Sequence, residues 1–119
     1  MIYVFDGTMT GLLSCVFRAF SFKQFDVRIT QDANSQNGLF DEMIIVPSNN
    51  QHAQRVWTAL KRKVSSNSLR HFYYSFLSEQ DPAFNHMFGF ACYVFQKQYR
   101  VDQDYGHVDV LGISQWAKQ

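Results

Sequence analysis

The chain of 119 residues holds only two cysteines and four histidines, and their spacing excludes more than it supports. Cys15 and Cys92 lie far apart, each among apolar residues of an expected helix, which is the setting of an unreactive buried thiol rather than of a disulfide framework. A small secreted domain more often carries such a framework, so a cytoplasmic location is expected. His52, His71, His86 and His107 form no His-x-x-x-His pair and have no cysteine nearby, so the usual spacing of a zinc site is missing. Long apolar runs are missing too. Ala83 to Phe95 is broken by Asn85 and His86 and is shorter than the ~20 residues a spanning helix needs. The apolar opening Ile2 to Phe5 has neither the basic flank nor the cleavage site of a signal peptide, so no membrane association is expected. Glutamate occurs twice, as Glu42 and Glu79, and paired carboxylates for acid–base work would have to come from aspartates in separate loops. There is no Gly-x-Ser-x-Gly elbow, no Gly-x-x-x-x-Gly-Lys loop and no Gly-x-Gly-x-x-Gly turn, so acyl transfer, nucleotide hydrolysis and dinucleotide binding lack their local machinery. No catalytic constellation is visible and no cofactor is expected.

What is abundant is core material. Apolar residues make up 46% of the chain, with twelve phenylalanines, six tyrosines and two tryptophans, which excludes disorder and is enough for one domain over residues 1–119. Ile2 to Phe5 reads as a strand buried on both faces, ended by Asp6-Gly7. Met9, Leu12, Leu13, Val16, Phe17 and Phe20 then form one helical stripe, with Thr8 placed to cap it. Val27 to Thr30 alternates as a half-exposed strand, Gln31 to Gly38 reads as a loop, and Glu42 to Val46 is a third strand.

Pro47 ends that strand, and Ser48 with Gln51 has the spacing of a capping box for a second helix burying Ala53, Val56, Trp57, Leu60 and Val64. Ser65 to Ser68 caps a third helix with Leu69, Phe72, Tyr73, Phe76 and Leu77 inward. Asp81-Pro82 opens a fourth, with Phe84, Met87, Phe88, Ala91, Cys92 and Phe95 inward and Phe90 and Val94 widening the stripe. Val108 to Ala117 is helical without a clean face, and its apolar end at Trp116 implies further chain to complete its burial. The order predicts an α+β fold: a small three-stranded mixed sheet (β-α-β-β), its third strand returning antiparallel, followed by about four helices.

Two local patterns read as structure. Asp102, Asp104 and Asp109 surround Gly106 and His107, but glycine falls at the fifth position of a calcium loop and Ile113 stands where its glutamate belongs, so a solvated loop is expected. Asp6 to Gly11 joins a strand to a helix N-terminus, which can hold an anion, yet Asp6 would itself repel a phosphate, so a structural cap is expected.

Charge is uneven although the net is +1: residues 51–80 hold five basic side chains and one acid. Arg55 and Arg62 lie seven apart on the polar side of the second helix, Lys61 and Lys63 flank Arg62, and Arg70 opens the next helix. Such a strip can track a phosphate backbone with salt-dependent affinity, against the simpler reading of a solvated helix face. Tyr74 points away from the apolar stripe and is the candidate for stacking a base. Phe90 and Tyr93, if exposed together, would instead mark a protein interface.

The opening Met1-Ile2-Tyr3-Val4-Phe5-Asp6-Gly7-Thr8, followed by Gly11-Leu12-Leu13 and Val16-Phe17-Arg18-Ala19-Phe20, resembles the start of a bacterial family of DNA metabolism and DNA repair proteins. Similarity continues at Ala53-Gln54-Arg55-Val56, at Phe76-Leu77-Ser78-Glu79 and at Val108-Asp109-Val110. The resemblance implies a DNA-processing role, a radical-SAM protein encoded alongside, and kinship with a domain that precedes uracil-DNA glycosylase-like domains. It also implies that this chain matches the N-terminal half of a longer family domain. No catalytic role carries over to any residue here. Two functions are therefore expected of different classes: a non-catalytic accessory domain that places Arg55, Lys61, Arg62, Lys63, Arg70 and Tyr74 against DNA, or a module that docks the radical-SAM partner through apolar surface near Trp116 and the fourth helix.

Overall fold

Ile2, Tyr3 and Val4 are apolar at successive positions, so the strand they form can be buried on both faces. In the computed structural model, which describes residues 1–34 and 42–118, this strand, β1 (Ile2–Val4), is the centre of a three-stranded sheet. β2 (Arg28–Thr30) and β3 (Met43–Ile45) flank it in the order β2-β1-β3. Ile2 pairs with Arg28 on one side and Met43 on the other, and both neighbours run parallel to it.

The mixed sheet expected from the sequence is corrected here, because β3 is parallel. A parallel crossover needs about a dozen residues. The twelve residues 31–42 between the two strands suffice for one, so a length read as permitting an antiparallel return permits either direction. The better signal was β1 itself, since an unbroken apolar strand without alternation is the pattern of a parallel sheet. The loop expected over Gln31 to Gly38 lies partly outside the described residues.

α1 (Met9–Phe22) connects β1 to β2. Thr8 caps it as expected, its Oγ1 accepting the Gly11 N–H at 2.9 Å, and Lys23 ends it in the left-handed conformation. Leu12, Leu13 and Val16 are buried, and Cys15 and Ala19 complete that face, while Met9, Phe17 and Phe20 lie at its margins. α2 (Asn50–Lys63) follows β3. Its cap is Asn49, whose Oδ1 accepts the His52 N–H at 3.0 Å, and not Ser48. Ser48 is drawn off by the Asp6 carboxylate, to which its hydroxyl donates at 2.5 Å, a charge-assisted bond that competes well with capping.

The chain gathers into two units, Met1–Val56 and Trp57–Gln119, and the boundary falls inside α2. The second unit holds α3 (Ser66–Phe76), α4 (Asp81–Gln96) and α5 (Val108–Trp116), which pack on one another. Ser65 caps α3, accepting the Ser68 N–H at 3.1 Å. Gln80 and not Asp81 precedes α4, so Asp81 falls in its first turn, where a carboxylate suits the positive end of the helix dipole. Phe72, Phe84, Met87, Phe90, Val94 and Ile113 are fully buried.

Between α4 and α5 the contact is unusually close at two places. A Cβ on Gly112 would fall 2.5 Å from the His86 ring, and one on Gly89 would fall 2.2 Å from an Asp109 oxygen. His86 Nδ1 and Asp109 Oδ1 are hydrogen-bonded at 3.1 Å, so each helix offers a glycine to the polar side chain of the other. Both cysteines are free and buried, and burial first of all pushes each thiol up to about 12, as expected of unreactive thiols. Among the described residues no helix is long and apolar enough to cross a membrane.

Candidate nucleic-acid interface

The basic residues singled out in the sequence fall into separate settings. Arg55 lies in the first unit, exposed, with its guanidinium 5.6 Å from the Phe17 ring centre. Lys61 and Arg62 are exposed in the last turn of α2, where cations also complement the helix dipole. Lys63 is half-buried, and its ammonium donates to the main-chain carbonyl of Lys97, so it ties the second unit together instead of facing a ligand. Arg70 is exposed on α3. Among the described residues, no carboxylate pairs with Lys61, Arg62 or Arg70.

α3 differs from its sequence reading in an informative way. Tyr73 and Leu77, expected inward, are exposed; Tyr73 is 48% and Tyr74 45% exposed. The buried face is Ser68, Phe72 and Ser75. Two serines take it because their short side chains allow close packing and satisfy buried carbonyls: Ser75 Oγ donates to Ile113 O at 2.9 Å and Ser68 Oγ to Asp102 O at 3.1 Å. That rotation leaves Arg70, Tyr73, Tyr74 and Leu77 at i, i+3, i+4 and i+7, one outward stripe. The two tyrosine rings lie 5.8 Å apart, tilted by 58°.

His71 reports the local field. Its imidazole is held below the ordinary histidine value first by burial and then by the positive charges of Lys118 and Arg70. Lys118 therefore belongs to the same cationic neighbourhood, a residue that sequence separation hid.

The other candidate sites resolve into structure. Asp6 Oδ1 accepts the Thr8 N–H at 3.0 Å and Asp6 Oδ2 the Ser48 hydroxyl. Burial raises the Asp6 pKa, but the bonds from Ser48 and Thr8 outweigh it and hold the carboxyl below its usual range. A carboxylate thus already occupies the entry to α1. Asp109 meets His86 at 3.1 Å and His107 at 3.9 Å, yet among the described residues no group of three ligands is placed to hold a metal. Phe90 is fully buried and Tyr93 half-buried, so they are not exposed together. The Tyr93 ring stacks on His107 with centroids 3.7 Å apart, and its hydroxyl donates to Asp104 at 2.6 Å, which pushes it up to about 12. α4 is core, and the apolar residues that α5 turns outward are Val108 and Leu111, with Trp116 half-buried.

Comparison with protein-family models, with curated proteins and with solved structures found no match to this chain.

Proposed function

We propose that the protein is a non-catalytic accessory factor in DNA metabolism that binds single-stranded DNA through α3 and the end of α2. Lys61, Arg62, Arg70 and Lys118 meet phosphates, and Tyr73 and Tyr74 stack bases. The observation that carries this reading is the outward stripe of α3, where a guanidinium without a carboxylate partner among the described residues is followed one turn later by two exposed rings. Stacking is tolerant of sequence and phosphate contact is independent of it, so the surface suits strand binding without base readout. The family resemblance of the N-terminal motif points to the same class of ligand.

The test is fluorescence anisotropy of a labelled single-stranded oligonucleotide across a salt series. Affinity should fall linearly on a log–log plot, and the variant Lys61→Gln/Arg62→Gln/Arg70→Gln should flatten the slope by about 2, since each phosphate contact on a single strand contributes ~0.7. Tyr73→Ala/Tyr74→Ala should weaken binding by about 1–3 kcal/mol per lost stack and leave the slope unchanged. The His71 titration, followed by NMR, should move up on binding as phosphates offset Arg70 and Lys118. No binding at low salt, or a triple variant with the parent's slope, rejects the proposal.

A further inference from the structure

β3 is an edge strand whose outer side is open. The Ile2 N–H donates to Glu42 O and the Val46 N–H to Val4 O, both at 2.8 Å, so Glu42, Ile44 and Val46 turn their main-chain groups toward β1. Hydrogen-bonding direction alternates along a strand, and the N–H and C=O of Met43 and Ile45 therefore point the other way, where among the described residues nothing bonds to them. The opposite edge of the sheet differs. Ile29, the residue of β2 that faces away from β1 in the same sense, is fully buried. On β3, Met43 and Ile44 are half-buried and Ile45 is 75% exposed. Folded chains blunt such edges with a lysine, a bulge or an inward charge, because an unpaired apolar edge recruits another strand. Met43-Ile44-Ile45 carries none of these.

The sequence of this edge specifies its partner. In an antiparallel pairing with a second copy of itself, Met43 stands opposite Ile45 of that copy, and the two Ile44 residues meet on the two-fold axis. Each Met43–Ile45 pair exchanges two N–H···O bonds, so every outward main-chain group of the strand is satisfied. A register shifted to set Met43 against Pro47 loses a bond, because proline has no N–H to give; the proline thus fixes the register and stops the ladder. Side chains meet across the junction as Met43 on Ile45 on one face and Ile44 on Ile44 on the other, all apolar. Glu42, the charge next to this edge, falls opposite Val46 of the other copy. The two glutamates then stand ~14 Å apart along the ladder, beyond the Debye length of about 8 Å at physiological salt, so they do not oppose the pairing.

We propose that the protein associates through β3 with a second copy of itself, joining two three-stranded sheets into one of six strands. A sheet of that size is ordinary, whereas three strands is small. The interface is isologous, and the β2 edge is already covered, so association closes at two copies instead of running on as a fibre. The surface belongs to the first unit alone, is independent of the α3 stripe, and stands or falls separately from it.

The experiment is sedimentation equilibrium of the full chain from about 5 μM to about 500 μM, with amide hydrogen exchange followed by NMR at both ends of that range. A monomer–dimer equilibrium is expected. Exchange at Met43 and Ile45 should slow by about tenfold or more in the concentrated sample, while Ile44 and Val46, bonded within the sheet, stay slow in both. Ile45→Lys, at an exposed position that the fold leaves free to change, sets a charge on each side of the two-fold axis and should raise the dissociation constant about tenfold or more. Leu111→Lys, the same kind of change on the outward side of α5, should alter it by less than about twofold. A monomer at every concentration, a dimer as tight in Ile45→Lys as in the parent, equal loss in the two variants, or Met43 and Ile45 amides that exchange alike at both concentrations overturns the assignment. The exchange map of the unaltered chain decides the question even if Ile45→Lys fails to fold.

Discussion

Phe90→Ala should lower the stability of the protein by about 3–5 kcal/mol, enough to unfold most of a marginally stable chain at 37 °C. Phe90 is fully buried on α4, and its ring centre lies 6.0 Å from that of Phe72 on α3, so it joins two of the three packed helices. Truncation removes the transfer free energy of a benzyl group and leaves a cavity that helices fixed by their other contacts cannot close. Phe90→Leu, which keeps most of the volume, should cost less than half as much. The check is urea unfolding followed by circular dichroism; an alanine variant with the parent's midpoint would show that Phe90 is not core.

Asp102→Asn should cost about 2 kcal/mol at neutral pH, a large effect for a residue in a polar loop. The sequence reading made Asp102 a solvated acid, but it is only 3% exposed. Its Oδ2 accepts the Ser65 N–H at 2.8 Å and its Oδ1 the Arg100 Nε–H at 3.3 Å. An asparagine retains one of these acceptors and turns an amide donor on the other. Burial works to raise the Asp102 pKa, but the bonds from Ser65 and Ser68 and the charge of Arg100 prevail and set it below its ordinary value. A carboxyl whose pKa is lower folded than unfolded stabilises the fold above the unfolded value, near 4, and loses that contribution as pH falls through the folded value. The gap between wild type and Asp102→Asn should therefore begin to narrow as pH falls below about 4 and close once pH is below the folded value. A gap that persists there, or no gap at neutral pH, contradicts the assignment. Because Ser65 caps α3, this bond also fixes the start of the helix that carries Arg70, Tyr73 and Tyr74.

The elements legible in the sequence are those with a strong period. The α1 stripe with its Thr8 cap, the start of α3 within the Ser65 to Ser68 run and the approximate places of the described elements follow from spacing, while the caps read for α2 and α4 fall one residue off. The parallel pairing of β1 with β2 follows from the α1 crossover, whereas the direction of β3 does not, because a connection of a dozen residues permits either return. The face of α3 was misread for a different reason: counting apolar residues ranks Leu77 and Tyr73 above Ser68 and Ser75, whereas the helix buries the serines, whose hydroxyls reach carbonyls of neighbouring segments. At the candidate site, Arg70 and Tyr74 were readable as outward, Tyr73 and Lys118 were not, and Lys63 was lost to a main-chain carbonyl.

The reciprocal fit of His86 against Gly112 and Asp109 against Gly89 constrains how the sequence can drift. A β-carbon at either glycine occupies space that the opposing imidazole or carboxylate already fills, so neither position is free to change by itself. A larger residue at Gly112 requires the His86 ring to shift, and one at Gly89 requires the Asp109 carboxylate to shift, either of which disturbs the His86–Asp109 hydrogen bond. The four sites should covary as two crossed pairs, and a combined Gly112→Ala/His86→Ala protein should be more stable than Gly112→Ala alone.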